Sequence, residues 1–103
     1  MTEPQLFQAL KESLIAAGRG PFFPDWEFAT LLGFERAEIL TIADSFTAAT
    51  PIRGEVLRAL NSSLVNLLGY PHGKDSVWRQ WLSFSPDQLQ AVLTSLQKHG
   101  AEA

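Results

Sequence analysis

The stretch TPIRGEVLRALNSSLVNLLGYPHGKDSVW, Thr50 to Trp78, decides the fold. Val56, Leu57, Leu60, Leu64, Leu67 and Leu68 recur at steps of three and four, the spacing that gathers side chains on one face of an α-helix. Thr50 is suited to cap this helix, Pro51 to its first position and Gly69 to its end, so a central helix is expected over about residues 51–68. A helix this apolar has to be covered on most of its girth. The loop that follows, Gly69 to Asp75, holds the densest mix of unusual side chains in the chain: Tyr70, Pro71, His72, Lys74 and Asp75.

Working toward the N-terminus, Ile39, Ile42, Ala43 and Phe46 mark a helix over Glu35 to about Thr47 that leaves Glu38, Thr41, Asp44 and Ser45 outward. Asp25 is placed to cap a shorter helix, Trp26 to Leu32, which Gly33 closes. Gly18 to Pro24 is a connector, because its two prolines remove backbone donors and bias their predecessors toward extended geometry. Phe22 and Phe23 within it are too apolar to leave in water together, so at least one is expected in the core. The first helix runs from Glu3 to Ala17 with Thr2 and Gln5 as a capping box and Leu6, Phe7, Leu10 and Leu14 inward.

Beyond the loop, Asp75 is expected to cap a short helix carrying Val77, Trp78, Trp81 and Leu82. Ser85, Pro86, Gln88 and Leu89 then form the strongest local start signal in the chain, with Phe84 as the staple to Leu89. No alternation of period two is sustained, and no internal repeat stands out. The expected fold is all-α, a single compact domain over residues 1–103, built as a bundle of about five helices around the central one.

Composition supports a real core. With 46% hydrophobic and 18% charged residues, a chain of 103 residues should bury roughly 65% of its unfolded surface. The absence of cysteine excludes disulfides, a thiolate nucleophile and cysteine-ligated metal. Residues 1–10 lack the basic and apolar regions of a signal peptide, and no window is apolar for long enough to span a bilayer, so a soluble cytoplasmic protein is expected. The net charge of −3 is uneven. Residues 1–50 hold seven acids against three bases, while residues 51–103 hold four acids against five bases.

At the corner after Gly33, Ala29, Gly33, Ile39 and Ile42 resemble a DNA-binding helix-turn-helix, and Trp26, Ala29, Leu32, Gly33, Phe34 and Ile39 resemble a stretch of death-fold domains. Each resemblance covers only this corner, and the rest of the chain matches neither. A reading helix there would offer Glu35, Arg36, Leu40, Thr41 and Asp44, and carboxylates are repelled by phosphates. Nucleic acid is therefore not the expected partner.

Chemistry for catalysis is thin. His72 sits between Pro71 and Gly73, where Asp75 or Tyr70 could orient its ring, but no nucleophile, base and orienter share a spacing, and no further metal ligand lies near. No cofactor, no metal and no enzymatic activity are expected. The function expected is binding: a small acidic protein that blocks or sequesters another protein, in the manner of an inhibitor or toxin-immunity protein. Its partner would be a basic enzyme or toxin, or a second copy of itself. Asp25, Glu27, Glu35, Glu38 and Asp44 would steer it, and Tyr70, His72, Asp75 and Trp78, with Trp26, would supply the contact. The alternative is a helix-turn-helix-like DNA-binding regulator drawing on Arg53, Arg58, Lys74 and Arg79.

Overall fold

Thr2 opens the first helix as its spacing predicts. Its N–H donates to Gln5 Oε1 at 2.9 Å and its hydroxyl accepts from the Gln5 N–H at 3.3 Å, so two donors orphaned at a helix start are satisfied reciprocally. That helix, α1, spans Glu3–Arg19. In the computed structural model, which describes residues 1–102 and side chains as far as Gly100, it is followed by α2 (Asp25–Leu32), α3 (Arg36–Ser45), α4 (Gly54–Gly69), a 3-10 turn (Asp75–Val77) leading into α5 (Trp78–Trp81), and α6 (Pro86–Glu102). The fold is the expected all-α single domain, with six α-helices among the described residues where about five are expected. The radius of gyration is 12.5 Å, close to the ~13 Å of a compact domain of ~100 residues. No helix among the described residues is long and apolar enough to cross a membrane.

Helix α4 is central, but it begins three residues later than Thr50 and Pro51 imply. Ile52 is half-buried against the core, and its carbonyl accepts from His99 Nε2 at 2.8 Å, which holds the chain extended up to Arg53. Gly54 then takes φ +56° to turn the chain into the helix, a conformation other residues rarely adopt. Thr50 closes the preceding turn instead, accepting the Thr47 N–H at 2.8 Å. The connector plugs the core twice over, since Phe22 and Phe23 are both buried. The Ser85–Gln88 box forms as expected, at 2.8 and 3.2 Å.

Two acidic caps do not form. Asp25 and Asp75 are the first residues of their elements, and neither start is capped by a side chain. Within α4, Asn66 donates its amide to Leu31 O at 2.9 Å and ties the helix to α2.

The expectation that no internal repeat exists is overturned by the order of elements. A long helix, a short one and a third, α1–α2–α3, are followed by the same series, α4, then the turn with α5, then α6. Asp25 and Asp75 open the equivalent short elements, and Arg36 and Pro86 the equivalent third helices, both 50 positions apart. Helix α1 packs on α3 as α4 packs on α6, and α1 crosses α4 between them.

Candidate functional site

The expected site residues meet most densely where the start of α2 faces the start of α3. Arg36 is the keystone of that corner. Its guanidinium donates to Gly18 O, Phe23 O and Asp25 Oδ1, each at 2.9 Å, and lies 4.3 Å from the centre of the buried Phe28 ring. One side chain thereby joins the end of α1, the proline connector, α2 and α3. Such a planar fork matches carbonyls and a carboxylate in a way an ammonium does not. The Arg36–Asp25 pair is the one ion pair among the described residues, and the Asp25 side chain stays 94% exposed.

Glu27, in the first turn of α2, accepts the Tyr70 phenol at 2.7 Å, while the Tyr70 ring packs edge-on to Phe23 at 5.7 Å. The phenolate is disfavoured there. The hydrogen bond to Glu27, partial burial and the nearby carboxylate charge all push the Tyr70 pKa above its ordinary 10.0. Trp26 lies between these two anchored acids and is 80% exposed. Its indole is held at the base of a fixed helix with nothing covering it.

The other acids are placed along α3. Glu35, Glu38 and Asp44 are exposed, and Glu38 Oε1 accepts the Glu35 N–H at 2.8 Å, so it also caps the helix. Asp44 lies eight residues beyond Arg36, about 12 Å along the axis. The structure thus brings Asp25, Glu27 and Tyr70 together with Trp26 and sets Glu35 and Glu38 nearby in the chain, but puts Asp44 at the far end of α3.

The loop residues do not form a second centre with them. His72 Nδ1 accepts the Lys74 N–H at 2.9 Å, which leaves Nε2 as the protonated nitrogen facing Leu67 O at 3.2 Å. Its ring lies edge-on to Phe22 at 4.9 Å and stacked on Trp78 at 6.1 Å. Backbone atoms and aromatic rings therefore orient His72, in place of the expected Asp75 or Tyr70. Asp75 is exposed. Trp78, expected to present an edge, is only 5% exposed, and its indole N–H donates to Phe84 O at 2.8 Å, so it belongs to the core.

Two positioning residues escaped the sequence reading. Arg36 did leave a signal: a cation in the first turn of a helix opposes the macrodipole and calls for a separate reason. Lys11 left none. Its ammonium donates to Ala43 O and to Phe46 O, closing the end of α3 from across the bundle. For a helix-turn-helix, α3 would be the reading helix, yet its only base is the Arg36 folded back onto Gly18, Phe23 and Asp25. Comparison with family models, with curated proteins and with solved structures finds no match to this chain.

Proposed function

We propose that this chain is a binding protein that blocks or sequesters a protein partner bearing a basic surface. The observation that carries the reading is Trp26, an indole 80% exposed on a helix locked by Arg36 and Tyr70. An exposed indole offers a large apolar face with a polar edge, and tryptophan is enriched among the residues that anchor interfaces. Locking the helix beforehand reduces the ordering entropy of association. Around the indole, Asp25 and Glu27 supply negative charge, with Glu35 and Glu38 at the start of α3, and this field favours encounter with a basic partner. Binding over catalysis is further supported by His72, whose two ring nitrogens already serve the loop.

The test is affinity capture from the native host with the parent chain and with Trp26→Ser. A protein retained by the parent and lost with the variant, at unchanged thermal midpoint, supports the reading. Equal retention by both refutes it. Sedimentation at micromolar concentration distinguishes a second copy of the chain as the occupant of this face.

A further inference from the structure

The two halves of this chain align without a gap, with identities concentrated at buried and turn positions. At a constant offset of 50, Ala9-Leu10 and Ser13-Leu14 align with Ala59-Leu60 and Ser63-Leu64, Pro21 with Pro71, Asp25 with Asp75, and Leu32 and Phe34 with Leu82 and Phe84. Burial follows the same offset. Of the twelve buried residues described in the second half, eleven have a buried mate in the first; the twelfth, Phe84, has the half-buried Phe34. Capping repeats as well, with Glu38 reaching back to Glu35 N and Gln88 to Ser85 N, both at 2.8 Å.

Contacts between the halves are reciprocal. Helix α2 packs on α4 and its mate α5 on α1; α3 touches α4 and its mate α6 touches α1; α1 and α4 cross each other. Reciprocity of this kind, residue i on j and j's mate on i's mate, is the mark of a two-fold isologous interface. Residues on such an axis touch their own mates, and Phe22 and His72, which are mates, lie 4.9 Å apart. The repeated small residues at 9, 13, 59 and 63, all fully buried, are what a helix needs when it crosses its own equivalent closely.

We infer that the α1/α4 surface is a homotypic docking face: each half is a three-helix module whose partner is another copy of that module, supplied here by the same chain. The order of the modules and the link between them are then incidental to the fold. The link is residues 46–53, and the ends it leaves free lie close together, since Leu6 near the start of α1 and His99 near the end of α6 line one cavity. A chain with its modules exchanged closes through those ends, and two chains whose link is too short pair with each other.

A circular permutant running from Pro51 to Ala103 and then Met1 to Thr50 tests the symmetry. It is built with a direct joint and with a four-residue Gly-Ser joint, so that a strained junction is not mistaken for a failed fold. Expected is a monomer with the parent's far-ultraviolet spectrum and a thermal midpoint within about 5 °C, a shift on the order of 1 kcal/mol for this size. Failure of both joints to fold overturns the inference. Removal of Thr47–Thr50 tests the partner. Light scattering is expected to give twice the monomer mass with native helical content. A shortened chain that folds and stays monomeric refutes docking between chains.

Discussion

Ser13 and Ser63 are mates in sequence and burial, yet the same substitution should act on them in opposite directions. Both side chains are fully buried. Ser13 Oγ donates to Ala9 O at 2.7 Å, whereas Ser63 Oγ finds no partner among the described residues. Replacing Ser13 by alanine removes a satisfied bond with a net worth of about 1 kcal/mol. The Ala9 carbonyl keeps its place in the helical ladder, so no new orphan is created. Replacing Ser63 by alanine removes a hydroxyl desolvated without compensation, a burden of about 1–3 kcal/mol in protein mutational data, set against the small void an oxygen leaves. Ser13→Ala should therefore lose about 1 kcal/mol, and Ser63→Ala should be neutral or gain about 1 kcal/mol. The two variants would differ by about 1–2 kcal/mol, or roughly 4–16 °C in midpoint for a domain of this length. Urea unfolding followed by circular dichroism measures this directly, provided the denaturant slope is unchanged. Equal losses at both positions would refute the reasoning, because they would mean that Ser63 rotates onto Ala59 O as Ser13 bonds Ala9 O.

Gly20→Ala should destabilise by about 1–3 kcal/mol, since an added Cβ would stand 2.5 Å from the Ala16 carbonyl oxygen, a backbone atom that cannot swing aside, and 2.9 Å from Phe22 Cδ2; an unchanged urea midpoint would show that the connector gives way freely. Arg36→Ala should lose about 2–4 kcal/mol by orphaning two carbonyls and uncovering Phe28, whereas Asp25→Asn should lose under about 1 kcal/mol because that carboxylate is exposed; equal losses would place the energy in the ion pair. The raised pKa of Tyr70 means that the unfolded phenol deprotonates first, so its contribution is complete below pH 10 and fades as pH rises through the folded value; the parent should lose stability faster above pH 10 than Tyr70→Phe, and parallel pH profiles would refute the Glu27 bond. Trp26→Ser should leave stability within about 0.5 kcal/mol of the parent, and a larger loss would show that the indole packs on the domain and is no anchor.

Local chemistry and periodicity were enough to establish the helices. The Thr2–Gln5 and Ser85–Gln88 boxes are contacts between residues three apart, and Gly33, with φ +73°, ends α2 because the turn needs what only glycine adopts easily. The apolar stripe of α4 declares its place against the core through its spacing, and the two connector phenylalanines through their apolar character. The start of α4 departs from the local signal because Ile52 is drawn to the core by α1 and α6, and that pull overrides the preference of Thr50 and Pro51 for a helix start. Asp25 in the same way turns from capping to Arg36, a partner eleven residues away.

What the amino-acid sequence determined by itself was the class of fold, the helical faces and the exposure of most charges, all consequences of interactions within a turn or two. Which tryptophan is free was decided only in three dimensions. Trp26 and Trp78 both sit in the first turn of short helices, but Phe22 and Phe84 O enclose Trp78, while nothing packs over Trp26. The roles of Arg36, Lys11 and His72 likewise depend on carbonyls brought to them by packing, and a backbone carbonyl has no letter in the sequence. The duplication was hidden for a related reason: a buried position constrains size and polarity far more than identity, so Ile39 and Leu89 or Phe46 and Leu96 occupy equivalent places while reading as different residues.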